Sequence, residues 1–120
     1  MAKIYIVDDS RIFRKILKTT LSENGHEIIG EAGNGQEALD QLKNISPDVI
    51  TLDITMPIMD GLQTLVEIKN TYPNIKVVMV SAAGQKAKVM EAIKNGAVDF
   101  LQKPFQPDEV ASVITRILAK

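Results

Sequence analysis

No cysteine occurs in the chain, which excludes disulfides, thiolate nucleophiles and cysteine-ligated zinc and fits a reducing cytoplasm. Tryptophan is also missing, and the aromatic residues amount to three Phe and two Tyr. No basic cluster is interleaved with these rings and the formal net charge is −1, so neither a nucleic-acid stripe nor an acidic tail is implied. No apolar run approaches the ~18 residues of a membrane span, and Met1-Ala2-Lys3-Ile4 leads directly into strand-like sequence, leaving no room for a signal peptide. A Gly-rich loop opening a helix and a Lys-Ser/Thr nucleotide motif are both absent, so any phosphoryl group handled here arrives from elsewhere. The expectation is a cytoplasmic, monomeric chain without a direct nucleic-acid or membrane partner.

What is present is an ordinary globular mixture, 45% apolar and 24% charged over 120 residues. That length suits one domain, 1–120, with one ordinary core. Strand-like and helix-like segments alternate throughout. Ile4 to Val7 is a β-branched and aromatic run that stops at Asp8-Asp9-Ser10. Ser10 is a suitable N-cap for a helix with Phe13, Ile16, Leu17, Thr20 and Leu21 on one face and Arg14, Lys15 and Lys18 on a solvated one. Asn24-Gly25 stops it, His26 to Ala32 reads as a second strand, and a short helix with Ala38, Leu39 and Leu42 follows Gly33-Asn34-Gly35.

Val49, Ile50 and Leu52 form a third strand apolar enough to be buried on both faces, ending in Asp53. A helix with Leu62, Leu65, Val66 and Ile68 inward follows Asp60-Gly61. Ile75 to Val80 is a fourth strand ending at Ser81. Val89, Ala92 and Ile93 mark a fourth helix, Val98 to Leu101 a fifth strand, and Val110, Val113, Ile114, Ile117 and Leu118 a last helix behind Pro107. Met56, Met59, Met79 and Met90 read as packing. The alternation predicts an α/β fold: a doubly wound, five-stranded parallel sheet of order 2-1-3-4-5, flavodoxin-like (βα)5.

In such a sheet ligands bind beyond the carboxyl ends of the strands, where strand order reverses. Asp8, Asp9 and Asp53 then share one cleft, with Ser81 and Lys103 on its far side. Two carboxylates ~5 Å apart at an effective dielectric of ~20 repel by roughly 3 kcal/mol, so a proton or a cation must offset them. Oxygen ligands without His or Cys select a hard ion, Mg²⁺ or Mn²⁺. Asp53 is the candidate nucleophile, since carboxylates form acyl phosphates. Lys103 supplies a fixed positive charge and Ser81 a hydrogen bond. His26, at the start of the second strand, lies on the opposite edge and cannot be the donor.

Val7-Asp8-Asp9-Ser10, Leu52-Asp53-Ile54-Thr55-Met56-Pro57-Ile58-Met59-Asp60-Gly61, Ser81-Ala82 and Lys103-Pro104-Phe105 together resemble the receiver domain of two-component response regulators. The resemblance spans essentially the whole chain, and Ser81-Ala82-Ala83-Gly84-Gln85 and Lys103-Pro104-Phe105-Gln106-Pro107 look most like the single-domain chemotaxis regulators. It implies that Asp53 takes a phosphoryl group from a phosphohistidine of a sensor histidine kinase. It also implies that Asp9, Asp53 and the Thr55 carbonyl ligate Mg²⁺, with Asp8 acting mainly through water. Ser81 and Phe100 correspond to the hydroxyl and aromatic switch pair, and the Lys103-Pro104 bond is expected to be cis. Where some members carry a switch Tyr this chain has Phe100, so readout rests on ring position alone. The implied downstream partner is a protein such as a flagellar switch component, reached through the fourth helix, fifth strand and fifth helix, with dimerisation on phosphorylation as a further outcome. The only chemistry is then the chain's own phosphorylation and dephosphorylation.

Three other readings compete. The chain can be the receiver half of a longer regulator with a DNA-binding or enzymatic output module. A phosphatase of the haloacid dehalogenase type wants Asp-x-Asp after the first strand, and Ser10 stands at the second position of that spacing. A flavin carrier on the same topology needs a phosphate loop after the first strand, where Asp8-Asp9 has the wrong charge.

Overall fold

The structure, a computed structural model, describes residues 1–119. Strands and helices alternate as β1 (Lys3–Val7), α1 (Arg11–Glu23), β2 (Glu27–Ala32), α2 (Gly35–Leu42), β3 (Val49–Asp53), α3 (Gly61–Thr71), β4 (Lys76–Ser81), α4 (Lys86–Lys94), β5 (Asp99–Gln102) and α5 (Pro107–Leu118). All strand pairs are parallel, and the order is β2-β1-β3-β4-β5, as the alternation predicts.

Side chains leave a strand on alternate faces, so a strand apolar at every position feeds two cores. In β1, Ile4 and Ile6 pack with Leu17 and Leu21 of α1 and with Val110, Ile114 and Ile117 of α5. Tyr5 and Val7 point the other way, into a core with Ala38 of α2, Leu65 and Ile68 of α3, and Ala92 of α4. The helices therefore cover both faces and leave the carboxyl edge of the sheet open.

Local signals set the element ends. Ser10 accepts a hydrogen bond from the Phe13 N–H, and Asn34 caps α2 in the same way. Asp60 and Gln63 form a reciprocal capping box at the start of α3. Asp108 and Glu109 occupy the first turn of α5, where the helix dipole favours negative charge.

Two helix faces differ from expectation. Val66 and Ile93 are exposed, although apolar periodicity counts them inward. In α3 the buried stripe is Gly61, Thr64, Leu65 and Ile68, an i, i+3, i+4, i+7 set in which Thr64 takes a place expected of an aliphatic residue. Its hydroxyl donates to the Asp60 carbonyl, which makes burial tolerable, and the stripe centred on these residues leaves Val66 outside it. Met90 of α4 is likewise exposed rather than packed. Arg14 and Lys18, expected on a solvated face, both pair with Glu31 of β2.

Gly61 joins β3 to α3 at very short range. Its N–H donates to the Ile54 carbonyl at 2.7 Å, and a Cβ there would lie 2.1 Å from the Asp53 carbonyl oxygen. Backbone cannot move aside as a flexible side chain can. Gly61→Ala is therefore expected to lower stability by at least about 1–3 kcal/mol in urea titration. Gly25→Ala, at φ 85 with open space around it, should cost only about 1 kcal/mol. Equal effects at the two positions would refute the close approach of α3 to β3.

Candidate functional site

Asp53 is the last residue of β3 and is 5% exposed. Neighbouring β1 ends one residue before Asp8, whose N–H still donates to the Ala32 carbonyl and so continues the β1–β2 ladder. Asp8 Oδ1 accepts the Ser10 N–H at 2.8 Å, an Asx turn that holds the carboxylate over the end of the sheet. Parallel register places Val7 beside Leu52, so the residues following each strand emerge side by side. Asp9 is exposed at the rim. Carboxylate oxygens of Asp8, Asp9 and Asp53 all come within 4.8 Å of one another.

Lys103 closes the cleft from the far side. Its Nζ lies 3.0 Å from Asp8 Oδ2 and 3.3 Å from Asp53 Oδ2. The contact to Asp8 Oδ2 is ionic, not hydrogen bonded, and this buried oxygen takes no donor among the described residues. Its lone pairs remain available. One ammonium faces three carboxylates, so the cluster is short of positive charge. The strain falls on Asp53, whose carboxyl is pushed up to about 7, first by burial and then by the charge of Asp8, with Lys103 pulling the other way. A hard divalent cation fits this donor set: three carboxylates, one with an unsatisfied buried oxygen, and neither His nor Cys.

The other expected residues gather at the same edge. Ser81 is buried at the end of β4, and its carbonyl accepts the Lys103 N–H at 2.7 Å. Thr55 follows β3, and its hydroxyl accepts from Gln85 Nε2 at 2.7 Å, while Gln85 Oε1 accepts the Ala82 N–H at 2.7 Å. Phe100 of β5 is 45% exposed, so it is no core aromatic; with Ser81, Val89 and Met90 it lines a cavity of about 410 Å³. The Lys103-Pro104 bond is cis. His26 lies at the opposite edge, as expected, with Nδ1 accepting the Ala2 N–H.

Composition and spacing did not single out three contributors. Arg14 Nη1 donates to the Asp8 carbonyl at 2.6 Å and Arg14 Nε to Glu31 at 2.8 Å, bracing the β1 end from α1. Lys18, and with it Arg14, holds the Glu31 carboxyl below the usual carboxylate range. Gln85 ties the β3–α3 loop to the β4–α4 loop. Phe13 lies under the Lys103 ammonium, 4.4 Å from ring centroid to Nζ. In sequence, Phe13 and Arg14 differ from other helix-face residues only by following Asp9 by one helical turn.

The Asp53 environment sets a pH dependence. Asp53 binds its proton more tightly folded than unfolded, so between about pH 4 and pH 7 the folded state holds the extra proton and stability falls as pH rises. Above that window the full penalty of a buried charge remains. Asp53→Asn removes it: in chelator well above pH 7 the variant is expected to melt higher than the parent, with the gap closing toward pH 4. Added Mg²⁺ should raise the parent more than the variant. A parent as stable as the variant at high pH without metal would contradict this reading.

Comparison with known proteins agrees with the geometry. The response regulator receiver domain family matches residues 4–115. The chain is 45% identical over 115 residues to the chemotaxis protein CheY of Thermotoga maritima, covering 96% of each. It is 47% identical over 114 residues to a protein-glutamate methylesterase/protein-glutamine glutaminase of Carboxydothermus hydrogenoformans, but spans only 33% of that longer protein. The crystal structure of NtrX from Brucella abortus superposes with a TM-score of 0.92 at 36% identity, over 98% of this chain and 27% of NtrX. The match covers nearly the whole sheet and the residues that line the acidic cleft, and the chain belongs to the response regulator receiver domain family, with CheY-like relatives.

Proposed function

We propose that Asp53 accepts a phosphoryl group from a phosphohistidine on a sensor histidine kinase, and that the phosphorylated chain signals by binding a partner protein. The observation that carries this reading is a buried carboxylate, next to two others, with Lys103 3.3 Å from its oxygen. In the transfer, Asp53 Oδ forms a bond to phosphorus as the P–N bond breaks. The imidazole leaves with the electron pair and is reprotonated by solvent. Such a transfer needs positioning and charge neutralisation more than covalent assistance. Mg²⁺, or Mn²⁺ in its place, held by Asp8, Asp9, Asp53 and the Thr55 carbonyl, would offset charge on the phosphoryl oxygens and keep Asp53 ionised. Lys103 contributes the remaining fixed positive charge. Asp8 and Asp53 point their oxygens at the same space, so the incoming phosphorus meets an oriented nucleophile.

The product is a group of about two negative charges at the sheet edge. Ser81, at the end of β4, supplies its hydroxyl to that group, and Phe100 turns into the neighbouring cavity of about 410 Å³. Exposed Met90, Ile93 and Phe100 then present a changed α4–β5 surface. A swing from 1:99 to 99:1 requires about 5.5 kcal/mol. A few charge-assisted hydrogen bonds supply only part of that. Both conformations are therefore populated before phosphorylation.

A chemotaxis role, through a flagellar switch component, is favoured because the match to CheY covers 96% of both chains. The second reading, a receiver unit attached to an enzymatic or DNA-binding output module, draws on the methylesterase relative, of which this chain spans 33%.

Incubation with a small acyl phosphate and Mg²⁺ is expected to add one phosphoryl group by intact-mass analysis, with none in Asp53→Asn and none after chelation. Addition at a hydroxyl residue, or addition that survives Asp53→Asn, would defeat the assignment. Phosphorylation should also raise affinity for a flagellar switch protein at least tenfold by titration calorimetry, and Phe100→Ala should abolish that gain while leaving the mass shift intact. No gain in affinity would turn the evidence toward an attached output module.

A further inference from the structure

Lys103 is held on two sides by carboxylates, and its third side faces an aromatic ring. A lysine ammonium has three N–H donors on a flexible stem, so its position is set by the partners those donors find. Two are engaged, by Asp8 Oδ1 and by Asp53 Oδ2, each at 3.3 Å. The Nζ also lies 4.4 Å from the centroid of Phe13, within the range at which a ring face attracts a cation. Phe13 is fixed in turn: its ring meets Phe105 edge to face, with centroids 5.4 Å apart and planes at 60°. Phe105 is buried and stands two residues after Lys103, so the loop bearing the lysine is pinned by the ring that supports its ammonium.

We infer that Phe13 is a positioning residue for phosphoryl transfer, holding the Lys103 ammonium in the cleft through the face of its ring. This rests on Asp53 being the phosphoryl acceptor. The need for it arises when a divalent cation is bound. Such an ion, held by Asp8 and Asp53, would draw on the carboxylates that hold Lys103 and so weaken the lysine's anchors. The face of the Phe13 ring is an attractive neighbour that a cation among the carboxylates would leave in place. Held there, the ammonium remains directed at the space where phosphoryl oxygens arrive; released, its four-carbon stem carries it toward water.

The test compares Phe13→Leu, which keeps apolar bulk without a ring face, with Phe13→Tyr, which keeps the face. At saturating Mg²⁺ and acetyl phosphate, the maximal phosphorylation rate of Phe13→Leu is expected to fall about three- to tenfold, with Mg²⁺ affinity within about twofold of the parent and Phe13→Tyr close to the parent. In a Lys103→Met background the Leu substitution should slow phosphorylation no further, since the group it positions is gone. An independent readout needs no phosphorylation. In Mg²⁺-loaded protein the Lys103 Cε protons should resonate upfield through the ring current of Phe13, and Phe13→Leu should abolish that shift.

Equal slowing by Leu and Tyr, or the same slowing with Lys103 already removed, would show a purely structural role and overturn the inference. So would unshifted Lys103 protons in the Mg²⁺-loaded parent. A parent that takes no phosphoryl group but shows the shifted protons would instead overturn the phosphoacceptor reading and leave the placement of Lys103 standing.

Discussion

Repulsion among three carboxylates at the end of a parallel sheet is the constraint on which this molecule depends. Nothing in the fold needs Asp8, Asp9 and Asp53 close together; the strands pair through backbone and the helices pack through aliphatic side chains. Asp53 nonetheless stands 5% exposed beside a second buried acid, and its carboxyl is pushed up to about 7. The doubly wound sheet makes this arrangement affordable. Asp53 ends β3 and Asp8 directly follows β1, two strands each paired on both sides, which limits how far repulsion can splay these two acids apart. Rigid strands thus gather negative charge into a cleft whose donor set fits a hard cation.

The braces around the cleft follow from the same constraint. Asp8 Oδ1 accepts the Ser10 N–H, which fixes the direction of Oδ2, the oxygen 3.0 Å from the Lys103 ammonium. Arg14 anchors the Asp8 carbonyl from α1 and is itself anchored by Glu31 on β2. Gly61 brings the start of α3 against the Asp53 carbonyl, and a larger residue there would push on the backbone of Asp53. Ile58 adopts φ 69 and is 81% exposed, in the loop that follows Asp53. A β-branched side chain in that region is strained, so the loop's path is imposed by its surroundings and not by its own preference.

Much of this was legible in the sequence because it depends on period and punctuation. Strand-length apolar runs ending in Asp, Ser or just before Lys, alternating with helix-period segments, lead to a parallel sheet and to the edge where its polar residues meet. Asp8, Asp9, Asp53, Ser81 and Lys103 needed no long-range information beyond topology. Illegible were the contacts that depend on where a side chain points within its element. Val66 reads as the apolar choice and Thr64 as the polar one, yet the close approach of Gly61 to β3 puts Thr64 on the buried face, where its hydroxyl is satisfied by the Asp60 carbonyl. Phe13 reads as one more apolar residue on α1; that its ring faces Lys103 depends on how α1 packs against the β5–α5 loop, a contact between segments some ninety residues apart. Gln85 reads as a polar loop residue until its two hydrogen bonds are seen to span two loops.

Those two hydrogen bonds bear on how the cleft communicates with the α4–β5 face. Lys103 and Ser81 are joined through backbone, N–H to carbonyl at 2.7 Å, so the lysine of the cleft and the serine at the end of β4 are neighbours in one ladder. Gln85 restrains the loop after β4, since its side chain holds the Ala82 N–H and also grips Thr55. Each such bond is worth only about 1 kcal/mol net. A latch of that strength biases the loop without locking it. On the proposed reading, phosphorylation would have only a small preference to overcome, and the outward Phe100 with the cavity beside it lies on the face where the change would be read.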